Sequence, residues 1–204
     1  VGCLKDGHFQ NSEVNKNLIA PSAFNIDFRG DDIAVSGTTY GAGAIGTRSI
    51  GAPELRRWTE NGIIITQLKI DITGLGCKGD AANDVIGLST LGAAYIYRNV
   101  VADNGVIFKI TVACVETPGQ GTATITTDID FAFNSSAVLV YDGAAGSSEL
   151  NMGTSAAGTS KEFINVPITA NDYMYITEGN TAATTGIYNA GQYIITFYGA
   201  AVFT

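Results

Sequence analysis

The sequence predicts an all-β protein, an antiparallel β-sandwich of jelly-roll-like form preceded by an extended N-terminal arm. Three observations predict it. Apolar and polar residues alternate with period two in several separate runs, turn-forming residues punctuate those runs at short intervals, and almost no stretch carries a helical period. Val, Ile, Thr, Tyr and Phe are plentiful, which favours strands. The 204 residues include 25 glycines, are 46% hydrophobic and only 15% charged. That suits one loop-rich domain with a core of its own and excludes disorder of the whole chain.

The organisation changes near residue 61. Residues 1–61 are rich in Gly, Asn, Ser and Ala and hold no sustained period. Short apolar anchors interrupt them: Leu18 and Ile19 in "NLIAP", then Phe24, Ile26 and Phe28 alternating in "AFNIDF". An extended segment with one apolar edge is suited to docking, either on another subunit or on its own domain. Residues 1–61 are therefore read as an arm with a Gly-rich hinge, and 62–204 as the sandwich.

The strand runs begin at once. In "GIIITQLKIDITG", Ile64, Thr66, Leu68, Ile70 and Ile72 share one face, while Gln67, Lys69 and Asp71 take the other. "AAYIYRNV" follows, and "VIFKITVACV" places Val106, Phe108, Ile110, Val112 and Cys114 on one face. "ATITTDIDF" is expected to bury Ala123, Ile125, Ile129 and Phe131 and to expose Thr124, Thr126, Asp128 and Asp130. "AVLVYD", "FINVPI", "DYMYITE" and "GQYIITFYGAAVF" complete a set of about eight short strands. Asn104-Gly105, between two such runs, reads as a hairpin turn, and "ENG" at 60–62 as similar punctuation. The best helical candidate is "GDAANDVIGLST".

"GAGAIG", Gly41 to Gly46, matches a dinucleotide fingerprint literally, but none of its context is present. The residues before it are polar and turn-like, and Gly51 and Pro53 stand where the helix would run. The glycines fit a hinge better, with Gly41, Gly43 and Gly46 expected at a backbone crossing or a close subunit contact. The single histidine, His8, assembles neither a hydrolase triad nor a zinc site. Asp128 and Asp130 lie roughly 7 Å apart along one strand; solvent-facing alternation explains them, with calcium a minor alternative. Tyr95 with Tyr97, and Tyr173 with Tyr175, form same-face pairs. They fit sandwich packing, and also an aromatic contact surface for a sugar or a protein.

Charge excludes one class of partner. Residues 1–61 carry six basic and seven acidic side chains, and residues 62–204 five and twelve, for net charges of −1 and −7. Nucleic acid and anionic membranes need the opposite field. No apolar run approaches the length of a membrane span. Cys3, Cys77 and Cys114 are odd in number and far apart, so they form no disulfide framework, and Cys114 reads as a small buried hydrophobe.

The succession "AFNIDFRGDD", "YGAGAIGTRSIGAP", "RRWTENGIIITQLKIDITGLGCKGDAANDVIGL", "AYIYRNVVADNGVIF", "ACVETPGQGTATITTDIDF" and "GQYIITFYGAAVF" resembles the small virion structural proteins of marine tailed bacteriophages that decorate or cement the capsid. The resemblance runs from about residue 23 to the end and is diffuse, with no catalytic signature. It implies a β-sandwich module, often trimeric, on the outer surface of a head built from a different major capsid protein. It implies no enzyme, no catalytic residue, no cofactor and no metal.

The function expected from these readings is a decoration or cement protein in the virion that bridges capsomers. Its partners would be the major capsid protein and itself, as a homotrimer, with docking through Leu18, Ile19, Phe24, Ile26 and Phe28. Two alternatives stand beside it. One is a carbohydrate- or receptor-binding module using Tyr95, Tyr97, Tyr173 and Tyr175. The other is a single jelly-roll coat protein, which the near-neutral arm disfavours.

Overall fold

The computed structural model describes residues 40–44, 53–79, 81–120, 125–146, 150–179 and 185–200. The arm anchors Leu18, Ile19, Phe24, Ile26 and Phe28 lie outside them, as do His8, Cys3 and Gly46. The elements are β1 (Glu54–Glu60), β2 (Ile63–Asp71), β3 (Gly76–Cys77), β4 (Tyr97–Arg98), one helical turn α1 (Val101–Asn104), β5 (Val106–Gln120), β6 (Ile129–Asn134), β7 (Ser160–Ile164), β8 (Tyr173–Glu178) and β9 (Gly186–Ala200). All named strand pairs are antiparallel. A large sheet runs β1-β2-β9-β5-β7, with β3 also paired to β9, and a small sheet runs β4-β8-β6.

The two sheets share one apolar core. Leu68, Ile70, Ile110, Val112, Cys114, Tyr193, Ile195 and Phe197 from the large sheet meet Tyr97, Ile129, Phe131, Phe133, Met174 and Ile176 from the small one. Tyr97 stacks on Phe197 with ring centroids 4.9 Å apart, and Phe131 meets Tyr193 edge to face at 5.6 Å. The period-two reading holds over the middle of β2, where Leu68 and Ile70 are buried and Gln67 and Lys69 partly exposed, but Asp71, expected on the outer face, is buried.

The sheet begins earlier than the expected boundary at 61. β1 pairs with β2 along its whole length, from Glu54↔Lys69 to Glu60↔Ile63. Asn61 and Gly62 make the two-residue turn between them at φ 50° and 77°, the pair of positive values that a hairpin of this twist requires. "ELRRWTE" lacks a clean apolar alternation because it is an edge strand with charges on both faces.

Asn104-Gly105 is not a hairpin turn. The runs on either side belong to different sheets, β4 bonding to β8 and β5 to β9, so the chain crosses between layers here. It does so through α1, closed by Gly105 at φ 66° with its N–H donating to the Val101 carbonyl at 2.8 Å. "GDAANDVIGLST" forms turns and isolated bridges instead of a helix, and "AVLVYD" and most of "AAYIYRNV" are loop.

Two face assignments also change. A bulge between Ile107 and Lys109 shifts the register of β5. Ile107 consequently packs against the core, while Val106 and Phe108 are exposed and only Ile110, Val112 and Cys114 keep the expected face. β6 is buried on both faces, so Asp130 is fully buried rather than exposed. The side of the small sheet turned away from the large one is covered by the loops carrying Val85, Ala94 and Ala145, packed around Ala132 and Tyr175.

A buried polar network closes one end. Arg57 Nε donates to Thr66 Oγ1 (3.1 Å), and Asn104 Oδ1 accepts from Arg57 Nη2 and from Thr66 Oγ1, both at 3.0 Å. Asn104 Nδ2 donates in turn to Asn99 Oδ1 at 3.2 Å, so Asn104 links β1 and β2 of the large sheet to the segment that follows β4.

Candidate functional site

Several acidic residues of 62–204 are engaged in bonds within the domain, and Asp71, Asp84, Asp130 and Glu178 are buried. Asp71 accepts from the Thr73 amide (2.9 Å), Glu116 from Gly191 (3.1 Å) and Asp172 from Thr169 (2.8 Å). Buried Glu178 accepts from Lys78 and Gly79 at 2.8 and 3.2 Å, and Asp130 from Met152 and Gly153 at 2.7 and 3.2 Å. Asp142 and Glu162 pair with Lys78 and Lys109 at 2.6 and 3.1 Å. Five of these carboxylates accept from backbone amides and two pair with lysines, so part of the domain's negative charge is engaged internally.

Asp128 and Asp130 do not form an exposed pair. Asp130 Oδ1 fills the ladder beside Met152, while Oδ2 has no hydrogen-bond partner. Burial pushes its acidity range upward, the Asp128 charge adds to that, and the two amides and Lys161 oppose it. Among the described residues no group of three His, Cys, Asp or Glu side chains is placed to hold a metal ion. Burial raises the Cys77 and Cys114 thiols as well, which leaves both as inert apolar packing.

The tyrosine reading divides. Tyr95 meets Tyr173 edge to face at 4.9 Å and Tyr175 at 6.4 Å, with the Arg98 guanidinium 5.6 Å from the Tyr173 ring centre. Tyr97 belongs to the other core, because residues 93–96 are not a regular strand and do not hold Tyr95 and Tyr97 on one face. Tyr97 and Tyr175 are 4% and 0% exposed. Burial pushes both hydroxyls up to about 12, and Tyr175 donates to the Ser136 carbonyl at 2.6 Å. Neither offers a ring face to a sugar. Only Tyr95 and Tyr173 are partly accessible.

One concavity is a cleft of about 350 Å³ with a glycine floor, Gly74, Gly76, Gly87 and Gly186, and walls from Leu88, Tyr141 and Ile187. Gly76 and Gly87 exchange both backbone hydrogen bonds, at 2.8 and 3.1 Å, so the floor is bare main chain. Ile187 is 63% exposed in the wall. Leu91, 48% exposed, bonds by its amide to wall residue Leu88, and Val140, 46% exposed, adjoins Tyr141. Sequence reading passed over this site; its signal was the glycine punctuation in "ITGLG" and "TTGIY".

"GAGAIG" meets the domain at the same end. Gly41 N donates to Tyr95 O (2.7 Å), Gly43 N to Ala93 O (2.8 Å), and Leu88 N to Gly43 O (2.8 Å). A Cβ on Gly41 or Gly43 would collide with the backbone of residues 91–93. The expected backbone crossing is therefore present at these two glycines, and the chain passes along the rim of the cleft. No protein family, characterised protein or solved structure matches this chain.

Proposed function

We propose that the chain is a virion structural protein, a decoration or cement protein that sits on the outer surface of a bacteriophage capsid and bridges capsomers. One observation carries the reading: Gly41 and Gly43, which follow the anchor-bearing stretch in sequence, bond to the domain beside the glycine-floored cleft, around which Leu91, Val140 and Ile187 expose apolar side chains. Exposed apolar groups gathered at a cleft are characteristic of binding surfaces, and the apolar anchors of residues 18–28 supply a second docking element. The partners are the major capsid protein and sister subunits in a homotrimer. Each buried arm anchor contributes about 1.5–3 kcal/mol before ordering costs, so Leu18, Ile19, Phe24, Ile26 and Phe28 act as a set.

Purified protein mixed with empty heads and imaged by electron microscopy tests this. Fixed stoichiometric occupancy is expected, and deletion of residues 1–30 should abolish it. Absence of binding to heads, with a glycan signal that depends on Tyr95 or Tyr173, would favour a receptor-binding module instead. The burial of Tyr97 and Tyr175 weighs against that alternative.

A further inference from the structure

β1 ends the large sheet, and among the described residues no strand pairs with its other edge. It is a regular strand of 7 residues without Pro or Gly, the kind of edge that templates pairing with a further strand. The hairpin decides which of its backbone groups are free. The two-residue turn at Asn61 and Gly62 is closed by Glu60 and Ile63, a pair that exchanges both backbone bonds. Alternation then turns the backbone groups of Trp58, Arg56 and Glu54 toward β2, and those of Thr59, Arg57 and Leu55 away from the sheet. Two charges on this strand are unmatched. Arg56 and Glu60 are exposed, share the face opposite buried Arg57, and stand across from Gln67 and Ile63 of β2. Among the described residues neither side chain has an ion pair or a hydrogen bond. They lie about 13 Å apart along the strand, too far to pair with each other.

We propose that β1 pairs antiparallel with β1 of a second copy, about a two-fold axis at Trp58. Two-fold symmetry keeps the inward faces of both copies on one side, so the axis must pass through a residue position. Centred on Trp58, the register sets Arg56 opposite Glu60 of the partner subunit and Glu60 opposite the partner's Arg56. Arg57 meets the partner's Thr59, and Thr59 the partner's Arg57, through the backbone groups that point away from β2. The neighbouring registers are worse. Centred on Arg57, Glu54 meets the partner's Glu60; centred on Arg56, two arginines meet; centred on Thr59, Arg56 meets the partner's Gly62 and no charge is matched. Centred on Leu55, Glu54 does meet the partner's Arg56, but Pro53, which has no N–H, stands where Arg57 needs a donor. The opposite edge, β7, offers no such match, because two-fold registers centred on Lys161 or Glu162 set like charges face to face. The charges of β1 are thus self-complementary, and the occupant they fit is a second copy. The contact does not rest on the capsid reading. A two-fold contact does not close a trimer, so within that reading it links neighbouring trimers.

Charge reversal in the full chain tests this, read by light-scattering mass and amide hydrogen exchange. Arg56→Glu makes both cross-strand charge pairs repulsive, and so does Glu60→Arg. Each should raise the dissociation constant of the contact by about tenfold or more and halve the mass. The two single variants mixed in equal amounts place opposite charges across the strands again, so the mixture should recover the parent mass. The double variant R56E/E60R should recover it as well. The amides of Arg57 and Thr59 should be protected in the parent and in the mixture, and exchange faster in each single variant. A mass that neither reversal alters overturns the proposal; if those two amides stay protected as well, the edge is covered by another segment of the same chain. Loss of mass without rescue in the mixture also overturns it, because it reports a damaged strand instead of a lost charge pair. Head occupancy is scored separately and bears on the capsid reading alone.

Discussion

Asp130→Asn should stabilise the protein at neutral pH. Asp130 is fully buried, its Oδ1 satisfied by the amides of Met152 and Gly153 and its Oδ2 without a partner. Tyr193, whose hydroxyl also lacks a partner, feels the Asp130 charge. Burial raises the folded-state pKa of Asp130 above the unfolded value, making it a weaker acid. A group with that sign contributes most to stability below the unfolded range, near pH 4, and the contribution is lost as pH rises through the folded range. Asparagine keeps the acceptor for both amides and removes the charge. An unsatisfied buried charged group costs about 1–3 kcal/mol or more, so a gain of about 1–2 kcal/mol is expected at pH 7 after allowing for the new N–H. For a chain of this size that is about 2–8 °C in Tm.

Urea unfolding of both proteins between pH 3.5 and pH 8 measures it. The stability difference should be largest at neutral pH and shrink toward zero in acid, where the carboxyl is itself neutral. The difference matters more than either curve, because the other titrating groups act on both proteins alike. A variant less stable than the parent at pH 7, or a difference independent of pH, would refute the reasoning.

Three further outcomes follow from the packing. Gly199→Ala would drive a Cβ into the Asn104 carbonyl, a backbone group that cannot step aside, and should cost about 3 kcal/mol by chemical denaturation. Asn104→Ala removes the acceptor shared by Arg57 and Thr66 and leaves a buried guanidinium short of a partner. It should cost about 3 kcal/mol, and adding Arg57→Leu should recover part of the loss in a double-mutant cycle. Ile187→Glu, at a largely exposed wall position, should change stability by less than about 0.5 kcal/mol yet lower capsid occupancy; unchanged occupancy would remove the cleft from the docking surface.

Period-two runs in β2, the middle of β5 and β9 announced the sandwich, and the polar context of "GAGAIG" pointed to a backbone crossing, which Gly41 and Gly43 make. The candidate site was less legible. The cleft is formed by glycines distant in sequence, at 74, 76, 87 and 186, and its walls by loops whose conformation no local period encodes. The tyrosine pairs misled because a two-residue spacing means one face only in a regular strand, and residues 93–96 are not one.

By itself the sequence determined the class of the fold and the inward side chains of the long strands, because alternation is a property of the extended backbone and is written into neighbouring residues. Only the tertiary structure decided where β5 bulges, that α1 crosses between sheets where a hairpin was expected, and that β6 is covered on both faces. It also decided that Asp130 and Glu178 are buried clamps rather than surface charges. Each of these depends on which distant segment lies against the strand, and a carboxylate is buried or solvated according to the amides that segment brings to it.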